Sequence, residues 1–171
     1  MHVTQVIPID TRSGVQLDVR PATEDDEPAL IAFFERVSDK DRRFRFLTAA
    51  ERISHAQLDP LVHADHFRSE SYLAFNRADG SLVASGLLVC DGPLDTAEVA
   101  VSIRRDYRGK GIGWALLDLL TREAEARGVR RVITIEDREN RAAIALEREK
   151  EFVPEAVEGD PRLVILSKSF R

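Results

Sequence analysis

The chain has 171 residues, 43% hydrophobic and 32% charged, with a formal net charge of -5, which describes a single globular domain with a real core and excludes a disordered one. The acidic balance argues against a nucleic-acid partner held on a generally basic surface. One cysteine, Cys90, rules out an internal disulfide, and there is neither a basic-then-apolar leader nor an apolar run long enough for a bilayer, so a cytoplasmic protein with no membrane partner is expected.

In chain order, Val3 to Ile9 and Val15 to Arg20 are β-rich runs around the turn cluster D-T-R-S-G, which predicts a hairpin or a pair of strands. Thr23 is placed as an N-cap. The acids Glu24, Asp25, Asp26 and Glu27 then crowd the positive end of a helix that carries Leu30, Ile31, Phe33, Phe34 and Val37. A helix start at Ser38 with a mixed pattern predicts a short helix and then a loop, and Ser54 to Ala64 reads as another short helix. The region from Ser38 to Ser69, with most of the histidines and the basic run Arg42, Arg43 and Arg45, is expected as a solvated connecting segment, with a substrate-lining role as the alternative. His55, His63 and His66 do not have zinc-ligand spacing, so no metal is expected.

From Ser71 the pattern turns to β: S-Y-L-A-F-N-R, the turn A-D-G-S, then L-V-A-S-G-L-L-V-C predict an antiparallel hairpin. After D-G-P-L-D, the strand T-A-E-V-A-V-S-I leads into R-R-D-Y-R-G-K-G-I-G-W-A-L-L-D-L-L, a basic glycine turn that opens a helix with Ile112, Leu116, Leu117 and Leu120 on one face. Val129 to Glu136 is a further strand, Asn140 to Lys150 a helix and Pro161 to Ser169 a closing strand. The sum is an α/β (α+β mixed) domain in which helices flank a mixed, mostly antiparallel sheet.

The glycine turn carries the chemistry. Amides in the first turn of a helix lack partners inside it and sit at the positive end of the dipole, so they attract phosphate. Gly109, Gly111 and Gly113 remove the Cβ atoms that would keep a phosphate away, and Arg108 and Lys110 add charge, with Arg104 and Arg105 close by in sequence. A diphosphate suits this arrangement. The order R-G-K-G-I-G is neither the dinucleotide fingerprint G-x-G-x-x-G nor the Walker loop, for no Gly-Lys-Ser/Thr is present.

Arg108, Gly111 and Gly113 fit the signature [QR]-x-x-G-x-[GA], and here the chain resembles the GNAT superfamily of N-acetyltransferases. The order of elements agrees over Val15 to Phe170, which gives an N-terminal arm over residues 1–14 and a single domain over residues 15–171. Within the superfamily, R-P-A-T-E-D-D-E-P-A-L-I-A-F-F, S-D-K-D-R-R-F-R-F-L and A-E-V-A-V-S-I are most similar to bacterial protein lysine acetyltransferases of the Pat type. The resemblance implies acetyl-CoA as co-substrate. Its diphosphate would lie on the amides of Arg108, Gly109, Lys110, Gly111, Ile112 and Gly113, and its pantetheine arm along the backbone of Val101, Ser102 and Ile103. It implies a further cofactor contact from Asn140, which as a helix N-cap would serve equally well; Trp114 would cover the cofactor or pack.

Transfer to an amine needs a proton acceptor, because presenting a neutral lysine amine at pH 7 costs about 4.6 kcal/mol. Glu98 is the acid inside the strand that leads to the loop, on the face of Ala100 and Ser102, with Val99, Val101 and Ile103 on the other. Among small and apolar neighbours such a carboxylate would be poorly solvated and a better base. The resemblance assigns a glutamate in this strand the same role. The alternative is an ordinary solvent-facing strand residue. The chain departs from the family where a tyrosine usually protonates the departing CoA thiolate: Glu147 stands there, and Glu151 replaces the usual glycine before Phe152. Tyr107 is a packing or cofactor contact rather than a substitute acid. The expected partners are acetyl-CoA and an amine acceptor, foremost a protein lysine. A small amine or amino acid as acceptor, a non-catalytic acyl-CoA-binding domain and a homodimer stay open.

Overall fold

The computed structural model describes residues 5–46, 55–156 and 160–170. Among the described residues, eight strands form one sheet: β1 Ile7–Asp10, β2 Gln16–Pro21, β3 Ser69–Asn76, β4 Leu82–Cys90, β5 Thr96–Ile103, β6 Arg131–Asp137, β7 Val153–Ala156 and β8 Leu163–Ser169. Their order is β1-β2-β3-β4-β5-β6-β8-β7. Every neighbouring pair is antiparallel except β5 and β6. The helices are α1 Glu27–Glu35, α2 Asp39–Phe46, α3 His55–Val62, α4 Ile112–Ala126 and α5 Arg141–Glu149.

Alternation along the strands gives the sheet two apolar faces, and a separate core forms on each. Leu30, Phe33 and Phe34 of α1 pack with Leu58 and Leu61 of α3 and Leu73 of β3 on one face. On the other, Ile112, Leu116 and Leu120 of α4 pack with Leu17, Val19, Leu88 and Val99. The sequence pattern thus resolves into helices on both sides of a mostly antiparallel sheet. Cys90, buried at the end of β4, belongs to the second core.

Most elements lie where periodicity put them, with ends shifted by a few residues, and the first strand begins only at Ile7. The N-cap is read one step too simply: Thr23 caps a 3-10 turn, Glu24–Asp26, and Asp26 stands at the N-cap of α1. Asp26 is held there by a bidentate pair with Arg20 at 2.8 and 2.9 Å, and it accepts the Thr23 amide at 2.8 Å. Ser38 does start α2, its Oγ accepting from the Asp41 amide at 3.1 Å. The loop expected after α2, the start of the helix read from Ser54 and Val3 lie outside the described residues. A strand was missed: β7 pairs with β8 at the sheet edge, in a stretch whose proline, Pro154, argues against a strand and is tolerated at an edge.

The short run 105–107 that joins β5 to the glycine turn is a 3-10 turn. Arg104 precedes it, buried and paired with Asp106 through two bonds of 2.7 and 2.9 Å, and its guanidinium lies over the Tyr107 ring. Tyr107 in turn accepts a hydrogen bond from Asn76 Nδ2 at 2.9 Å. These contacts fix the angle at which the chain leaves the sheet.

Candidate active site

β5 is hydrogen-bonded to β4 over its length, Ala97 to Ile103, but to β6 only through Thr96, Ala97 and Glu98. Past that point β6 continues beside β8, and the edge of β5 from Val99 to Ile103 is left without a strand partner. The two parallel strands therefore part, and a cleft of about 770 Å³ opens between them, a size that suits a cofactor-sized ligand. It runs from Arg108, Gly109 and Gly111 at one end, past Val101, Ser102 and Ile103, to Glu98, Glu136 and Glu147.

The glycine turn has the backbone its residues allow. Gly109 and Gly111 take φ values of 72° and 78°, in the left-handed region that a side chain disfavours. Gly111 is the N-cap of α4, and no side chain closes that helix end. Among the described residues, no turn hydrogen bond is donated by the amides of Gly109, Lys110 or Gly111. At Gly113 a Cβ would stand 3.1 Å from Leu146 Cδ2 and 3.2 Å from Ile103 Cδ1, so glycine here lets the helix start approach both β5 and α5. The residues present fit a diphosphate: uncapped donors, no Cβ in the way, and cationic side chains around them.

The cations are not those a count of charges suggests. Arg104 is withdrawn from the basic patch, being 9% exposed and committed to Asp106. Arg108 keeps an exposed side chain while pairing with Asp41 of α2 at 3.3 Å. The turn between β1 and β2 supplies another: Ser13 Oγ donates to the Lys110 carbonyl at 2.6 Å, and Arg12 lies 4.1 Å over the Trp114 ring and lines the cleft. Lys150 sits 4.4 Å from the same ring and bonds Asp118 at 2.9 Å. Trp114 is thus both a packing surface for two cations and part of the cleft wall. Residues 1–14, expected as an arm, contribute Thr11, Arg12 and Ser13 directly to the loop's surroundings.

Glu98 faces the cleft, as alternation requires, but its residue is exposed; the expectation of a poorly solvated carboxylate is corrected, because the parting of the strands admits solvent beside it. Val99 is packed under α4, and Ser102, on the Glu98 face, is buried with a hydroxyl that has no partner among the described residues. Of the basic run in α2, only Arg43 is solvated as expected. Arg42 is 6% exposed and donates to the Phe34 carbonyl at 3.0 Å and to Asp39 at 2.6 Å, while Arg45 lines the cleft. Burial pushes the Arg45 guanidinium below its ordinary value, and the Glu98 and Glu136 carboxylates oppose that push.

Asn140 proves to be both a cap and a cleft residue: its Oδ1 accepts from the Ala143 amide at 3.4 Å, and its Nδ2 donates to Glu136 Oε2 at 3.2 Å. Glu147 is 5% exposed and accepts from Thr134 Oγ1 at 2.5 Å. Burial, then the neighbouring Glu136, pushes its carboxyl up to about 10, and burial raises Glu136 as well. This carboxyl pair was not read from the sequence, where Glu147 registers only as a missing tyrosine. Among the described residues, no group of three His, Cys, Asp or Glu side chains could hold a metal, and no helix is long and apolar enough to cross a membrane.

Comparison with known proteins decides the family. The model of the acetyltransferase (GNAT) family matches residues 34–149. The chain belongs to the GNAT family of acetyltransferases. A curated acetyltransferase of Pseudomonas aeruginosa is 32% identical to this GNAT chain over 133 residues, 75% of the chain and 70% of the relative. The acetyltransferase Pat of Mycolicibacterium smegmatis is 33% identical over 128 residues, and there the match spans 73% of this chain but only 38% of the longer protein. The crystal structure of the GNAT domain of S. lividans PAT superposes with a TM-score of 0.88 at 25% identity, covering 96% of this chain and 97% of that one. A GNAT enzyme is an acetyl-CoA-dependent N-acetyltransferase, so the reaction class follows from the family.

Proposed function

We propose that this chain transfers the acetyl group of acetyl-CoA by direct attack of a primary amine, and that the amine is a lysine side chain of a protein. The observation that carries the first half is the parting of β5 from β6 directly after Glu98, beside a glycine turn with uncapped amides. Acetyl-CoA supplies the acetyl group as an activated thioester. The amides of Gly109, Lys110, Gly111, Ile112 and Gly113, with Arg108, hold its diphosphate; the free edge of β5 at Val101, Ser102 and Ile103 holds its arm and polarises the carbonyl. Trp114 and Asn140 border the arm. Glu98 takes the amine proton, directly or through a water, in a cleft open enough to admit one.

The Pat-like stretches of the sequence support a protein lysine as acceptor, and so does the likeness to the S. lividans PAT GNAT domain over 96% of the chain. A lysine side chain is long and thin enough to reach Glu98 from the open side of the cleft while its backbone stays outside. The single, buried, unpaired Cys90 fits a reducing, cytoplasmic setting. Residues 15–171 are read as one domain and residues 1–14 as an arm whose turn completes the cofactor site.

The test is acetylation of whole-cell protein extract by the purified chain, read by mass spectrometry. Acetyl-lysine sites that require both the chain and acetyl-CoA are the expected result. Acetylation of polyamines or amino acids with no protein site would move the acceptor to a small amine. Calorimetry that finds no interaction with CoA would remove the reading altogether.

A further inference from the structure

We infer that Arg12, in the turn between β1 and β2, is a cofactor-specificity residue: its guanidinium takes the phosphate that CoA carries on its ribose, apart from the diphosphate on the glycine turn. This rests on the acetyl-CoA reading above and adds a residue to it. Arg12 lies outside residues 34–149, the span that the family model matches, so its role is argued from this chain's own contacts.

The turn is closed on itself and seated against the loop. Thr11 is buried; its amide and its Oγ1 both donate to the Val15 carbonyl, at 3.0 and 2.9 Å, and the Gly14 amide donates to the Thr11 carbonyl at 3.1 Å. Ser13 Oγ then donates to the Lys110 carbonyl at 2.6 Å. The seat is Gly111, where a Cβ would stand 3.5 Å from the Arg12 amide nitrogen and 3.7 Å from Arg12 Cβ. Two turns far apart in sequence are fastened together, and the backbone of Arg12 is fixed at their junction.

From there the guanidinium lies over the Trp114 ring, 4.1 Å from its centroid, in an exposed side chain that lines the cleft. A cation over an indole is held through its face, which leaves N–H donors at its edge free for an oxyanion. Neighbouring cations are already committed: Arg104 pairs with Asp106, Arg108 with Asp41 and Lys150 with Asp118, whereas Arg12 has no carboxylate partner among the described residues. The amides of the glycine turn and Arg108 serve the diphosphate, and the Arg12 guanidinium stands past them, over the third residue of α4. The pantetheine arm runs the other way, along β5, and carries no charge. A ligand that engages both the turn and Arg12 needs a second anionic group, and in CoA that group is the ribose phosphate.

Calorimetry with CoA and with 3′-dephospho-CoA tests this in the wild type and in Arg12→Gln, which keeps a polar side chain and removes the charge. The wild type is expected to bind CoA about 10-fold more tightly than the dephospho form, as one charge-assisted contact near the surface would give. In Arg12→Gln the affinity for CoA should fall by about 10-fold while that for the dephospho form stays within about twofold, so the preference disappears. Raised salt should narrow the wild-type preference. Equal wild-type affinities for the two ligands, or a preference that survives in Arg12→Gln, overturn the inference alone. So does an equal loss for both ligands in the variant, which would assign Arg12 to the diphosphate or to packing of the turn. The wild-type comparison decides without any variant, so a folding defect in Arg12→Gln leaves the test intact. A wild type that binds neither form and transfers no acetyl overturns the enzyme reading and this inference with it.

Discussion

Glu98 faces Ile133 on the last rung that joins β5 to β6, so the residue expected to act as base marks the point at which two parallel strands stop sharing hydrogen bonds. One residue earlier or later, alternation would turn it under α4, where Ala97 and Val99 are buried.

Glu98→Gln tests that placement. The amide keeps the size of the side chain and removes the proton acceptor. General-base removal typically costs about 10²–10⁴-fold, and a loss of that order in kcat is expected, with the Kd for CoA unchanged. Equal activity in the two forms would strip Glu98 of its role.

Gly111→Ala addresses the loop. At φ 78° a non-glycine residue costs roughly 1–2 kcal/mol, and the turn must either hold that strain or relax away from the cradle geometry. Relaxation is expected, weakening CoA binding by about 5- to 30-fold in calorimetry. Gly80→Ala is the control, since Gly80 has a φ of 74° in the turn between β3 and β4 and lines no part of the cleft. It should cost stability and leave CoA affinity alone. Similar losses of affinity in both variants would mean that general destabilisation, not the cradle, is being read.

How much of this was legible in the sequence depended on whether the signal was local. The glycine turn was, because the turn, the helix start and the positive φ values are written in neighbouring residues. So was the facing of Glu98, set by a period of two. Arg104 was misjudged because its partner Asp106 lies two residues away but its burial depends on the packing of Tyr107 and Asn76. Arg45 and Arg42 were misread because a charge run looks solvated until a helix is known to lie over a cleft. The carboxyl pair needed Thr134 and Glu136 of β6 beside Glu147 of α5. One local signal did exist: Asn140, Ala143, Ile144 and Glu147 recur at helical spacing on a single face, which places Glu147 inward with Ile144.

Glu151 carries a cost the fold can be relieved of. The end of α5 is a Schellman motif, with the Phe152 amide donating to the Glu147 carbonyl at 3.0 Å and the Glu151 amide to the Arg148 carbonyl at 3.0 Å. Its left-handed position, φ 71°, is filled by glutamate. Glu151→Gly is expected to stabilise by roughly 0.5–1 kcal/mol after the entropy of the freer unfolded chain is counted, a rise of about 1–4 °C in Tm. A thermal melt decides it, and a fall in Tm would show that the Glu151 side chain contributes more than its backbone costs.

The Glu147 carboxyl makes a prediction for stability as well. In the unfolded chain it titrates near the reference 4.3, while in the fold burial and Glu136 hold it up to about 10. Between those values the native state binds a proton that the unfolded state does not, so the slope of unfolding free energy with pH is negative. The contribution is therefore fully present in acid and is lost as pH rises toward about 10, where the second carboxylate must form beside the first. Glu147→Gln has no proton to lose there. Chemical denaturation at a series of pH values from 6 to 10 should show the wild type losing stability more steeply than the variant, the two curves converging or crossing at the alkaline end. Parallel curves would mean that Glu147 ionises in the fold much as it does in water.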